Sequence, residues 1–185
     1  ASRRVTRMAE QLLAYSRINA AETAAAKDRF RFADICQEVG AMMQPLLDKR
    51  QQHLELVENG DLTILAVKSK IERLVQNLIE NAINYSPEKT KVTVTSKVEN
   101  GIIDISITDQ GIGIPETDLD RIFERFYRVD PARSRLTGGT GLGLSIVKHV
   151  ALKHGGEVKV WSSENVGSTF SLRLPIYSAT EESVQ

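Results

Sequence analysis

The chain has one cysteine, Cys36, in 185 residues. That excludes a disulfide framework and any multi-cysteine metal site, and it fits a reducing compartment. Charge of either sign is not in excess: 24 Lys and Arg face 24 Asp and Glu. A general surface for nucleic acid or another polyanion is thereby excluded, because counterion release needs positive charge concentrated on one face. A local basic pocket is not. No apolar run approaches the roughly 20 residues that cross a bilayer. The start, Ala1-Ser2-Arg3-Arg4, has neither the apolar stretch of a signal peptide nor an initiator Met. The expectation is a piece cut from a longer chain; if the parent is membrane-anchored, the anchor lies outside this piece. Internal repeats and low-complexity tracts are missing too. What remains, 41% hydrophobic and 26% charged, is the composition of a soluble domain with an appendage.

Val5, Met8, Ala9, Leu12, Leu13 and Ile18 follow helical spacing, and the Ala-rich stretch after them reads as a linker. The division expected is a bundle helix over 1–19, a linker over 20–28, one domain over 29–176 and a polar tail over 177–185. Within the domain, Phe30 and Phe32 mark a short strand, and Ile35 to Leu47 an amphipathic helix with Pro45 near its end. His53–Val57 and Leu62–Val67 are strand candidates parted by the turn Glu58-Asn59-Gly60-Asp61. Ser69-Lys70-Ile71-Glu72 fits a capping box. Behind it Ile71, Leu74, Val75, Leu78, Ile79, Ala82 and Ile83 form the best apolar stripe in the chain, stopped by Ser86-Pro87. Two strands flank the hairpin signal Asn100-Gly101. A short helix around Asp118–Tyr127, a mobile loop over Arg128–Thr140, a helix over Leu142–His154 and a closing hairpin complete the pattern. Hairpins interleaved with helices predict a two-layer α/β (α+β) sandwich, a mixed sheet with helices on one face.

Three features carry chemistry. Asn77, Asn81 and Asn84 stand at i, i+4, i+7 on one ridge of the best helix. Asn is a poor helix former, and its carboxamide oxygen is a hard neutral ligand suited to Mg²⁺; a solvated polar face is the plainer alternative. Asp109-Gln110-Gly111-Ile112-Gly113-Ile114-Pro115 follows an alternating strand. Its glycines allow close approach to a flat ligand, its Asp accepts from an exocyclic amine, and Ile107 and Ile114 supply apolar walls. An Asp-Gly turn between strands fits the same residues. Gly138-Gly139-Thr140-Gly141-Leu142-Gly143-Leu144 opens a helix, where free amides make an anion site. It is not a Walker loop, since Leu144 and Ser145 follow Gly143 where Lys is needed, nor a dinucleotide loop, since Leu144 replaces the third glycine. A phosphate loop of another kind or a flexible hinge remains.

Taken together and in this order, the motifs resemble those of sensor histidine kinases. Asn77-Leu-Ile-Glu-Asn81-Ala is similar to their N box, Asp109-Gln-Gly-Ile-Gly113 and Gly139-Thr-Gly-Leu-Gly-Leu144 to their glycine boxes, Phe123-Glu-Arg-Phe126 to the F box, and Gly167-Ser-Thr-Phe170 to the last small box. The opening helix, ending Gln11-Leu-Leu-Ala-Tyr-Ser-Arg-Ile18, resembles the second helix of the dimerisation and phosphoacceptor hairpin. Phe126–Arg135 and Ile146–His149 look closest to the PhoR-like branch. The resemblance, from about Arg29 to Pro175, implies a Bergerat-type ATP-binding fold with ATP and Mg²⁺ as cofactors. It assigns Asn81 to the metal and Asn77 to the phosphates or metal shell. Asp109 would take the adenine amine, beside Gly111, Gly113, Ile114 and Tyr85. Gly139, Thr140, Gly141, Leu142 and Gly143 would line the phosphates, with Thr169 also at the nucleotide. Arg128 and Arg133 would clamp the γ-phosphate from a lid anchored by Phe123 and Phe126. The partners implied are a cognate response regulator, the parent's own upstream acceptor helix and a second copy in a homodimeric parent.

Two departures stand out. Asn84 occupies a position where many relatives carry Lys or Arg, which shifts one phosphate contact to the lid. The His-Glu-Leu-Arg type of acceptor motif is missing. His53, His149 and His154 read as structural, the last as a cation suited to a helix end, so the acceptor is expected on an upstream helix. Two other readings are an ATPase clamp of the gyrase, Hsp90 and MutL kind and a non-catalytic nucleotide-dependent module. The first needs a Glu general base where this chain has Asn77, Glu80 being one helical step away.

Overall fold

The computed structural model describes residues 26–60, 62–131 and 139–176, with positions 9, 13 and 16. The expected linker start, the tail from 177 and most of the opening helix lie outside the described residues. So does the middle of the lid, including Arg133.

From residue 26 on, the described elements open with β1 (Asp28–Arg31) and α1 (Phe32–Arg50), followed by β2 (His53–Glu58), β3 (Thr63–Ala66) and α2 (Lys68–Tyr85). Then come the hairpin of β4 (Lys91–Glu99) and β5 (Ile102–Thr108), α3 (Gly143–Lys153), and the hairpin of β6 (Glu157–Ser163) and β7 (Gly167–Pro175). The main sheet runs β2-β4-β5-β7-β6, and β1 and β3 form a separate ribbon. All pairings in the main sheet are antiparallel except β2 with β4, where Leu54 lies beside Val92 in parallel register. Period two decides the faces. Val92, Val94, Ile103, Ile105, Ile107, Phe170, Leu172 and Leu174 point to one side and are buried, together with the stripe of α2 and with Ile146, Val147, Val150 and Ala151 of α3. The other side carries Thr93, Thr95, Ser106, Thr108, Thr169 and Arg173. The helices therefore cover one face only, the two-layer sandwich expected.

Asn100 and Gly101, both at positive φ (52° and 75°), turn β4 into β5 as the Asn-Gly pair predicts. The turn after β2 does not make a hairpin. β3 leaves the main sheet and pairs with β1, and the Phe32 amide donates to Leu62 O at 2.8 Å, capping α1 by backbone alone. Nor does the capping box form. α2 starts at Lys68 with Val67 as N-cap and no side-chain cap, so Ser69 lies within the first turn and Glu72 pairs with Lys68 instead. His154 serves that helix start. Its Nδ1–H donates to Val150 O (2.8 Å) and its Nε2 accepts the Val67 amide (3.3 Å), a neutral ring rather than the cation expected. Burial lowers its pKa. The expected helix at Asp118–Tyr127 resolves into a 3₁₀ turn, Glu116–Asp118, and successive turns whose bonds are mostly i to i+3. Leu119, Ile122, Phe123 and Phe126 keep helical spacing, but Phe126 takes a positive φ (65°) with its amide on Gly141 O, and the core contacts of the stretch are Ile122, Phe123 and Tyr127.

Candidate functional site

The Asn ridge, the Asp109 loop and the glycine-rich helix start line one cleft, between α2, α3 and the ends of β5 and β7. Asn77, Asn81 and Asn84 all face it, because the buried stripe of α2 fixes the helix's rotation and leaves this ridge on the open flank. Asn77 is nearly buried and spends its Nδ2 on Arg73 O at 2.9 Å. Its oxygen is thus turned toward Gly143, where a Cβ would stand 3.2 Å away.

Asp109 sits at the end of β5, 8% exposed. Its Oδ1 accepts the amides of Gly111 (2.8 Å) and Ser168 (3.1 Å), so one oxygen is fixed and the other is left for a ligand. Burial pushes the carboxyl pKa up, and the two amides pull against that. A Cβ on Gly111 would meet Tyr85 O at 2.6 Å and Asp109 Oδ1 at 2.7 Å, so that glycine backs the carboxylate rather than touching the cleft. Gly113 does face the cleft, at φ 70°; a Cβ there would sit 2.1 Å from Ser163 O. The β6–β7 turn, and not the ligand, requires that glycine. Ile112, Ile114, Ile122 and Phe170 supply the apolar wall. Ile107 does not: it lies in the core under α2 and α3.

At the other end, Gly139, Thr140, Gly141 and Gly143 line the cleft. The first turn of α3 leaves the amides of Gly143, Leu144 and Ser145 without partners in their own helix, an anion site. The side chain of Leu142 turns into the core (1% exposed), so only its backbone belongs to the loop. Gly141, at φ 76°, abuts Phe126, whose amide donates to Gly141 O at 2.8 Å. Phe123 holds the lid base by its ring, edge-to-face on Phe170 with centroids 6.3 Å apart. Phe126 holds by its backbone, and its ring is 47% exposed, a correction to the anchoring role expected of it. The Tyr127 hydroxyl donates to Asp118, with Arg121 stacked 4.3 Å over its ring. Arg128 lines the cleft with Nη2 buried and unpartnered. A buried guanidinium nitrogen without an acceptor calls for an anionic ligand.

Thr169 is a correction. Its hydroxyl meets that of Thr108 at 3.0 Å on the open face of the sheet, away from the cleft. Alternation puts Ser168 and Phe170 on the cleft side instead. The core aromatic Phe170 was the available signal, since Ser168 shares its face. Glu80, Tyr127, Val129, Asp130 and Leu144 also line the cleft without having been picked out for it. The residues present suit a nucleotide with a divalent cation: amide oxygens, a free carboxylate oxygen, open helix amides and an orphan guanidinium.

Residues 66–178 match the sequence family described as histidine kinase-, DNA gyrase B- and HSP90-like ATPase. The sensor-like histidine kinase SenX3 of Mycolicibacterium smegmatis is 40% identical over 180 residues, 97% of this chain and 47% of that protein. The sensor histidine kinase WalK of Bacillus subtilis is 42% identical over 138 residues, 72% of this chain and 23% of WalK. The chain thus spans about half of SenX3 and a quarter of WalK. Among solved structures, the catalytic domain of histidine kinase ThkA superposes with TM-score 0.71 at 27% identity, covering 80% of this chain and 95% of that one. Full-length ShkA in complex with AMPPNP superposes with TM-score 0.81 at 25% identity, covering 95% and 36%.

Proposed function

Because the chain belongs to the histidine kinase-, DNA gyrase B- and HSP90-like ATPase family, we propose that it is the ATP-binding catalytic part of a sensor histidine kinase, acting on a histidine of an acceptor helix outside residues 1–185. The observation that carries this is the meeting, in one cleft, of the Asn ridge, the free oxygen of Asp109 and the open amides of α3. Asp109 accepts the adenine amine while Ile112 and Ile114 cover the ring. The amides of Gly143, Leu144 and Ser145 take phosphate oxygens. Asn81 would hold Mg²⁺, with Asn77 at the phosphates or the metal shell, and the ion would supply neutralisation of phosphate charge. Arg128, and Arg133 from the lid, stabilise the transferring group. In the transfer the bond between the γ-phosphorus and the bridging oxygen breaks, a bond to an imidazole nitrogen forms, and ADP leaves. Positioning and charge neutralisation do most of the work in such transfers. Residues 1–19 would be the end of the dimerisation hairpin, 20–28 the linker and 29–176 the catalytic domain. The parent would be a membrane-anchored homodimer that hands the phosphoryl group to a response regulator.

ATP titration with and without Mg²⁺ on the native chain, Asn81→Ala and Asp109→Asn tests the reading. We expect Asn81→Ala to lose the effect of Mg²⁺ and Asp109→Asn to lose preference for adenine over guanine. Transfer to a separately added acceptor hairpin should require ATP, Mg²⁺ and the native chain together. ATP binding without any transfer to such hairpins would refute the kinase. Glu80, a carboxylate on the cleft wall, gives the hydrolytic clamp its one support; steady ATP hydrolysis abolished by Glu80→Ala would favour that reading.

A further inference from the structure

The helix that carries the Asn ridge ends in an unusual way. Four carbonyls at a helix C-terminus lack partners in their own helix, and a glycine in the left-handed conformation commonly satisfies some of them. α2 has no such glycine. Its C-cap, Ser86, is extended, and Pro87 follows. Three of the four carbonyls are met from outside the helix: Ala82 O by Ser86 Oγ (2.7 Å), Ile83 O by Gln52 Nε2 (3.2 Å) and Tyr85 O by the Ile112 amide (3.2 Å).

Gln52 lies in the connection between α1 and β2, outside the cleft, and is 3% exposed. Besides Ile83 O, its Nε2 reaches Pro87 O (2.8 Å), Thr90 Oγ1 (3.3 Å) and Ser86 O (3.4 Å). Arg50 Nη2 donates to Ser86 O at 2.6 Å from the last residue of α1. The far side of the joint is the base-binding loop. Ile112 donates to Tyr85 O, Gly111 packs against that same carbonyl, and Gln110 Oε1 accepts the Lys91 amide at 2.9 Å. One short stretch, Ile83 to Pro87, is thus held by Gln52 and Arg50 on one side and holds the Asp109–Ile114 loop on the other. Asn84 and Tyr85, both on the cleft wall, lie inside it.

We propose that Gln52 is a positioning residue for nucleotide binding: its carboxamide clamps the end of α2 and so sets the height of Asn84, Tyr85 and the base-binding loop over the cleft. The proposal rests on the nucleotide reading for its binding arm only. Gln52→Met keeps the volume and removes the donors; Gln52→Glu keeps the shape and turns an oxygen toward the carbonyls. Each is measured for Mg-ATP affinity, for transfer at saturating ATP, and for amide hydrogen exchange over residues 83–87 and 110–115 in the nucleotide-free chain. Ile103→Ala, in the core away from the cleft, is the control for simple loss of stability. Both Gln52 variants should weaken Mg-ATP binding about three- to tenfold, as the loss of a buried hydrogen bond does. Transfer at saturation should stay within about twofold, and exchange should rise at 110–115 as well as at 83–87. Ile103→Ala should lower the melting temperature and leave affinity unchanged. Unchanged exchange at 110–115 in both variants overturns the proposal, as does an equal loss of affinity in Ile103→Ala. A native chain that binds no Mg-ATP sinks the nucleotide reading instead, and the exchange arm still decides for or against the clamp.

Discussion

At Asp109 the proposed binding role and the stability of the fold pull in opposite directions. Burial raises its pKa, so the folded chain holds that proton more tightly than the unfolded chain does. Stability is then greatest below the ordinary carboxyl range and falls as pH rises through the raised value. The adenine recognition proposed for it runs the other way, because it needs the ionised acceptor. We expect nucleotide-free Asp109→Asn to melt no lower than the native chain at neutral pH, with any advantage vanishing in acid, while adenine preference drops about tenfold or more. Thermal melts over pH and competition between ATP and GTP check both halves. Cys36 is the opposite case. Burial, and then the charge of Glu58, push its thiol up to about 12, so it is a packing residue without thiolate chemistry.

At the scale of elements, the glycines of the two loops are dictated by neighbouring backbone. In Gly113→Ala the new methyl would need room that Ser163 O occupies, at a φ that L residues rarely adopt. We expect a loss of about 2 kcal/mol or more, read as a shifted denaturant midpoint. Such contacts are long-range, and the sequence reported only that glycine was there. The stripe of α2 was legible because a single period served both helix and burial. From it followed the Asn ridge, the best-placed part of the expected site. Ser69 and the turn after β2 have partners from elsewhere in the fold, His154 for the start of α2 and β1 for β3, whereas Thr169 fails on strand alternation, which puts its neighbours Ser168 and Phe170 on the cleft side. The stretch Asp118–Tyr127 fails as a helix although its apolar residues keep helical spacing, because Phe126 takes a positive φ and gives its amide to Gly141 in the glycine-rich loop.

For the molecule as a whole, α2 is the shared part: core on one flank, cleft on the other, with His154 at its start and Gln52 at its end. Burial lowers the His154 pKa, so the unfolded chain takes up a proton first as pH falls. Its contribution to stability is complete above the ordinary imidazole value and is lost on acidification through the interval down to the lowered one. Melts between about pH 7 and pH 5 should therefore show a falling midpoint that His154→Phe flattens. Deep in the sheet, Ile105→Ala should cost about 2–5 kcal/mol in chemical denaturation without altering the groups that face the cleft.

The place of β7 in the sheet sets a timetable for synthesis. It follows every other described strand in chain order, yet it lies between β5 and β6, and its Ser168 amide fixes the Asp109 carboxylate. Ribosome-bound nascent chains halted before Gly167 should fail to retain a fluorescent ATP analogue, and chains released a few residues beyond Pro175 should retain it. All seven described strands must therefore be made before a nucleotide pocket of the proposed kind can close around Asp109.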